Sequence, residues 1–247
     1  MRSTFSGMER SRWSFDELAH AGREHLDADY AASYERKAQG ELLAEKDLKL
    51  LRGLGLNEGS TLVDLGAGTG TVALMVARYC RRVVAVDVSS AMLDVLTTRA
   101  AQLGVENVEC VQAGFLSYEH RGSTADFVYS RNALHHLPDF WKVLALDRVA
   151  VILKPDGILR LRDLVFAFDP SEANRAIEAW LVSAPERPDE GWTRSELEEH
   201  LREEHSTFSW LLEAMLKRAG FEIREASYGS AKTYAAYVCV KRRSATE

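Results

Sequence analysis

The sequence predicts an α/β protein built on a doubly wound, mostly parallel sheet with helices on both faces. Three observations predict it. Between residues 60 and 165, short apolar strands alternate with helical stretches of about 12 residues, the rhythm of βαβ units packed on both sides. A glycine-rich turn, Gly66-Ala67-Gly68-Thr69-Gly70, joins the first strand to its helix, where sheets of this kind bind ligands. A single acid, Asp87, closes the second strand about 20 residues on, within reach of a ribose diol.

The elements follow in order. The first 55 residues or so read as helix: Ser14-Phe15-Asp16-Glu17 fits a capping box, and Tyr30, Tyr34, Leu42, Leu43, Leu48 and Leu51 recur at helical spacing. Gly53, Gly55 and Asn57-Glu58-Gly59 end that region. Strands are expected at Thr61–Leu65, Val83–Val88, Val108–Val111, Asp126–Ser130 and Ile158–Leu164. Helices are expected over Val72–Tyr79, from a cap at Ser89 or Ser90 to Leu103 with Gly104 as stop, and from Pro138 to about Leu153. Lys154-Pro155-Asp156-Gly157 reads as a turn. The rhythm then breaks. Pro170 opens a helix to about Val182, Pro185 and Pro188 form a loop, and Thr193–Glu196 is a second capping box. A helix over Phe208–Leu216, a stop at Gly220 and strands at Glu222–Ala226 and Thr233–Val240 finish the chain. The expected organisation is one domain, 1–247, with an N-terminal helical cap (1–57), a cofactor-binding core (58–165), a helical lid or insertion after the fifth strand (166–207), and a terminal helix with the last two strands (208–247).

Composition narrows the function. A formal charge of −6 argues against a general polyanion binder, since nucleic-acid affinity needs clustered Lys and Arg. No apolar run approaches the roughly 18 to 20 residues that span a bilayer, and Met1–Phe15 lacks the apolar stretch of a signal peptide. A soluble cytoplasmic protein with no membrane partner is expected. Cys80, Cys110 and Cys239 each sit in an apolar setting and read as core packing rather than a disulfide frame or metal ligands.

The glycine loop admits two ligands. A dinucleotide calls for G-x-G-x-x-G with the pyrophosphate on the helix N-terminus. Here the third glycine comes one residue early, Thr71 holds the expected position, and Asp64 stands two residues before the first glycine. A carboxylate repels a pyrophosphate and favours an ammonium group, so the implied ligand carries a ribose and a cationic or zwitterionic part.

These segments resemble the class I S-adenosylmethionine-dependent methyltransferases. The resemblance rests on VDLGAGTG (63–70), VVAVDVSSAML (83–93), DFVYSRNALHHLPD (126–139) and LKPDGILRLRD (153–163), with the terminal helix, AGFEI and the final strand. It implies a seven-stranded sheet of order 3-2-1-4-5-7-6 with the last strand antiparallel. It also implies S-adenosyl-L-methionine as cofactor and S-adenosyl-L-homocysteine as product. Gly66, Ala67 and Gly68 would pack on the methionine moiety, Asp64 near its amino group, and Asp87 on the ribose hydroxyls. Val88 and Met92 would bed the adenine, Phe115 would neighbour it, Ser130 would lie beside the sulfonium, and Tyr34 would close over the cofactor. Family members often carry an acid, bonded to the adenine amino group, where this chain has Gly114. That contact is expected here from backbone, Gln112 or water.

Methyl transfer is an in-line displacement that needs chiefly alignment and a dry pocket, with a base only where the acceptor must lose a proton. His135 and His136 follow the fourth strand and are the candidate bases, set against a structural role in the His-His-Leu-Pro run. Arg131 and Asn132, and His205 with Trp210, are candidate pocket residues. His200 and Glu204 share a helix face, which invites a metal reading, but the commoner meaning is a solvated face, and no metal is expected. Trp180, Trp192, Phe166 and Phe168 read as ordinary packing before they read as a pocket wall. The expected reaction is methylation of a small-molecule O, N or C acceptor. Alternatives are a methyltransferase acting on tRNA or protein, a nicotinamide-dependent oxidoreductase, and a non-catalytic cofactor-binding module.

Overall fold

The computed structural model describes residues 13–21, 40–188 and 190–243 of the 247. Among these residues, helix α1 (Gly40–Gly53) precedes β1 (Thr61–Leu65), α2 (Thr71–Ala77), β2 (Arg82–Asp87), α3 (Ser90–Leu103), β3 (Val108–Gln112) and β4 (Ala125–Arg131). A 3-10 turn, Leu134–His136, leads into α4 (Asp139–Ile152) and β5 (Leu153–Phe166). Then come α5 (Ala173–Val182), α6 (Arg194–Glu203), the two-residue β6 (Thr207–Phe208), α7 (Ser209–Arg218), β7 (Phe221–Tyr228) and β8 (Tyr234–Lys241). The sheet order is β3-β2-β1-β4-β5-β8-β7, with β6 attached to β5. The strands from β3 to β5 pair in parallel, and β8 runs antiparallel between β5 and β7. Without the two-residue β6, this is the expected seven-strand order.

Strand alternation divides the core into two layers. Val63, Leu65, Val84, Val86 and Val128 face one way, onto Leu146 and Val149 of α4 and Leu212 and Leu216 of α7. Leu62, Val83, Ala85, Phe127 and Tyr129 face the other way, onto Leu51 of α1, Val72 and Val76 of α2, and Leu93 and Leu96 of α3. A buried polar lock fixes α1 to the sheet: Asp47 accepts from the Tyr129 hydroxyl at 2.7 Å and from Arg160 Nε and Nη2 at 2.9 and 2.8 Å. Breaking such a pair leaves an uncompensated buried charge, which costs about 3–5 kcal/mol. Ser89 caps α3 by accepting from Met92 N, and Thr193 and Glu196 complete the capping box of α6.

Three expectations change. Residues 13–21 form successive turns, not a helix. Asp16 Oδ1 accepts from Leu18 N and Ala19 N, and the Glu17 carboxylate, expected to cap the Ser14 backbone, is captured instead by Leu116 N–H. The turn expected at Lys154–Gly157 lies inside β5 as an irregularity, with the pairing to β4 shifting between Ala125 and Phe127 and Asp156 at φ 63°. Cys110 is exposed on the edge strand β3, whereas Cys80 and Cys239 are buried. The aromatics of the insertion pack as expected, in a small core of their own: Trp180, Leu181 and Leu197 pack with Leu164, Phe166 and Trp192. No helix among the described residues is long and apolar enough to cross a membrane.

Candidate active site

The carboxyl ends of β1, β2 and β4 open into one cleft, at the place where doubly wound sheets bind ligands. The glycine loop forms its floor. Gly66 N and Ala67 N both donate to Val86 O, at 2.9 and 3.0 Å, which pins the loop to β2. Gly66 and Gly70 adopt φ values of 76° and 83°, and a Cβ on either would collide with Ala133 or Leu96 at 2.3 Å. Gly68 differs: at φ 55° it has open space where its Cβ would stand, so the backbone there is bare to whatever enters the cleft.

Two carboxylates flank the loop. Asp87 Oδ2 accepts from Gly68 N at 2.8 Å and Oδ1 from Ser89 N at 2.9 Å, which fixes the side chain. Asp64 is 2% exposed. Burial pushes its carboxyl up to about 7; Arg131 opposes this, while the like charge of Asp87 adds to it. A buried carboxyl in that state gains most from a cationic ligand.

The outer wall comes from far away in sequence. Phe15, Glu17 and Ala21 line the cleft, held there by Phe15 and Trp13, whose rings lie 5.9 Å from that of Trp141 on α4. Both Glu17 oxygens lie 3.1 Å from Leu116 N, and Oε2 accepts from Ser117 Oγ at 3.2 Å. A Cβ on Gly114 would stand 2.3 Å from Glu17 Oε1. The residue that lacks an acid is therefore the residue that leaves room for one. Burial raises the Glu17 carboxyl against the lowering effect of those hydrogen bonds.

Of the residues singled out from sequence, the cleft gathers Asp64, Gly66, Ala67, Gly68, Asp87, Val88, Met92, Gly114, Phe115, Arg131, Asn132 and His136. It does not gather Ser130. That side chain is fully buried, and its hydroxyl has no hydrogen-bond partner among the described residues. Its neighbours Tyr129 and Arg131 reach the cleft instead, as strand parity requires. Tyr34 lies outside the described residues. Trp210 is exposed and stacks on Phe208. His205 is absent from the cleft wall; its carbonyl accepts from Lys142 Nζ and its N–H donates to His135 O.

His135 is withdrawn from the cleft. It is buried, Nδ1 bonds Asp163 Oδ1, and Nε2 lies 2.7 Å from Glu204 Oε2. Burial alone would lower its pKa, but the two carboxylates outweigh burial and push it up to about 10. A base must be within reach of its proton donor, and of the two histidines only His136 lines the cleft. Nor are His200 and Glu204 a solvated face: their side chains are 10% and 20% exposed and turn inward against His135. Glu17, Phe15 and Asp163 carry no local pattern that marks them as lining or supporting a site; the missing acid at Gly114 is the single clue to the first.

Comparisons with known proteins agree with this geometry. A family model described as "Methyltransferase domain" matches residues 62–157. An uncharacterized methyltransferase, YcgJ of Bacillus subtilis, is 35% identical over 109 residues, 44% of this chain and 42% of that protein. The 27-O-demethylrifamycin SV methyltransferase of Amycolatopsis mediterranei is 28% identical over 120 residues, 48% of this chain and 43% of that protein. These matched stretches span less than half the length of either relative. Magnesium protoporphyrin IX methyltransferase (ChlM) from Synechocystis, solved with bound SAM, superposes with TM-score 0.64 at 14% identity, over 94% of this chain and all of that one. Residues 62–157 thus match a methyltransferase domain, and the glycine loop, the paired carboxylates and the sheet order resemble those of the class I S-adenosylmethionine-dependent methyltransferases.

Proposed function

We propose that this chain transfers a methyl group from S-adenosylmethionine to an oxygen, nitrogen or carbon atom of a small-molecule acceptor. The observation that carries the reading is the pair of unlike carboxylates across the bare backbone of Gly68: Asp64 buried and raised to about 7, Asp87 fixed by two backbone N–H groups. When bound, the cofactor supplies a methyl group on a cationic sulfur whose thioether leaves readily.

The residues of the chain do the rest. Asp64 takes the cofactor's ammonium group and thereby ionises. Asp87, held by Gly68 and Ser89, keeps lone pairs for a vicinal diol. Val88 and Met92 offer apolar surface to adenine, and Glu17 supplies the carboxylate for its amino group in place of a side chain at position 114. Phe15 and Ala21 cover the cleft and exclude water, which strengthens each of these contacts. His136, at the acceptor end, takes a proton on a ring nitrogen when the acceptor is a hydroxyl or ammonium group. A small acceptor fits the covered cleft and the net charge of −6, and the name of the Amycolatopsis relative supports that acceptor class.

Calorimetric titration with S-adenosylhomocysteine, with NADH as control, tests the cofactor. One-site binding of S-adenosylhomocysteine alone is expected, and transfer of labelled methyl to a screened acceptor would follow. Binding of NADH alone, or of neither ligand to a folded ligand-free chain, would overturn the reading.

A further inference from the structure

The cluster behind the cleft goes beyond methyl transfer. His135 arrives from the turn after β4, while His200 and Glu204 sit at the carboxyl end of α6. Glu204 Oε2 lies 2.7 Å from His135 Nε2 and 2.6 Å from His200 Nδ1, and one atom from each of the three residues falls within 4.8 Å of the others. Despite those distances, Oε2 has no partner with hydrogen-bond geometry among the described residues. Each imidazole is engaged on its far side. His135 Nδ1 bonds Asp163, and His200 Nε2 lies 2.8 Å from Ser206 Oγ. Asp163 only accepts, so when a cation displaces the Nε2 proton of His135 the ring keeps its other proton on Nδ1 and turns the Nε2 lone pair toward Glu204. With Nε2–H donated to Ser206, His200 presents Nδ1 in the same way.

Three lone-pair atoms thus converge on one shielded point, with side-chain exposures of 6%, 10% and 20%. We propose that His135, His200 and Glu204 form a binding site for a borderline divalent cation, Zn2+ foremost, with Asp163 and Ser206 orienting the two imidazoles. Two imidazoles and a carboxylate are the donor set of a tetrahedral zinc site with one open position, whereas Mg2+ and Ca2+ favour all-oxygen sets. Outer partners on the far imidazole nitrogens are the usual means of fixing tautomer and ring orientation. Zinc bonds of about 2.0–2.2 Å place ligand atoms roughly 3.3 Å apart, so cation entry moves the Glu204 carboxylate back by about half an ångström, on its more exposed side. His136 Nδ1 stands 3.9 Å from the same oxygen, and His136 lines the cleft. The cation site therefore adjoins the acceptor end of the cleft without sharing the cofactor's residues.

The experiment uses tag-free chain stripped with a chelator and then titrated with Zn2+ alone, without cofactor or acceptor. One Zn2+ per chain is expected, with a raised Tm and, on Co2+ substitution, the visible bands of a four-coordinate ion. His200→Ala should weaken Zn2+ binding about 100-fold or more, and Ser206→Ala, which removes only an orienting hydroxyl, by about 10- to 100-fold. If His200→Ala fails to fold, Ser206→Ala and the Co2+ spectrum of the wild-type chain still decide. A folded wild-type chain that takes up no Zn2+ would overturn the proposal and leave the cluster held by protons. So would Zn2+ affinity unchanged in His200→Ala and Glu204→Gln.

Discussion

Two sets of buried carboxylates lie at the same end of the sheet, and they are treated in opposite ways. Beside the glycine loop, burial and the neighbouring Asp87 raise Asp64 to about 7, opposed only in part by Arg131. Behind the cleft, Asp163 accepts from the His135 backbone N–H at 3.1 Å, from His135 Nδ1 and from Leu164 N at 2.8 Å. Burial alone would raise Glu204, but the imidazoles of His135 and His200 outweigh it and hold its carboxyl far below the ordinary range. The first set is unfavourable until a positively charged ligand arrives; the second is balanced by the protons of its own imidazoles, which a divalent cation would have to displace.

The largest effect is expected where the cleft is barest. Gly68→Val places a side chain in the open space above the loop, and cofactor binding should fall below detection in calorimetry. Secondary structure by circular dichroism should persist, because the left-handed strain is only about 1–2 kcal/mol. Normal binding would remove the loop from the site and break the comparison at its base.

The two carboxylate sets should then respond oppositely to neutralisation. The Asp64 carboxyl is raised in the fold, so its stabilising contribution is complete below the unfolded value near 4 and is lost as pH rises through 7. Asp64→Asn removes that loss, and the ligand-free chain should gain up to about 4 kcal/mol at pH 8 and little at pH 4. Asp163→Ala strips three donors of their acceptor and should cost about 3–5 kcal/mol. Urea unfolding at both pH values reads both variants. Destabilisation by each alike would erase the distinction. Cofactor affinity in the wild-type chain should rise with pH, by up to tenfold per unit below 7, as Asp64 ionises.

How much of this was legible in the sequence follows from how far the partners are separated. Gly66 to Gly70 and Asp87 are read directly because one loop and the next strand end make the site, and local spacing fixes their geometry. The sheet order followed from the resemblance of four segments. Ser130 was misplaced for want of strand parity, which sends Tyr129 and Arg131 to the cleft. The hydrophilic run around His200 looked solvated because its partners, His135 and Asp163, lie 65 and 37 residues away. Glu17 was invisible for the same reason: it reaches Leu116 across 99 positions, and helical patterning in the N-terminal region said nothing of such a contact.

Asp87→Ala sharpens the cofactor side by a smaller amount. It removes a carboxylate that also ties Gly68 N and Ser89 N, and S-adenosylhomocysteine affinity should fall by about 1–3 kcal/mol, the loss of charge-assisted hydrogen bonds. Unchanged affinity would take Asp87 out of the site.

The smallest effect tests the outer wall, where the two kinds of carboxylate meet in one residue. Glu17 is raised by burial, as Asp64 is, yet it accepts from the 116–117 turn, as Asp163 accepts from its own neighbours. If it completes the adenine end of the cleft, Glu17→Gln should weaken S-adenosylhomocysteine by about 1 kcal/mol, one charged hydrogen bond made neutral. Sinefungin and other ligands with the same adenine should lose as much, and a ligand lacking the exocyclic amine should lose nothing. Gly114→Ala is the complementary variant: its Cβ would meet the Glu17 carboxylate at 2.3 Å, so it should displace residues 13–21 and weaken binding further, while adding the same Cβ to a Glu17→Ala chain should have little further effect. Equal and independent losses in the two single variants and their combination would mean that Glu17 serves only to hold the segment down.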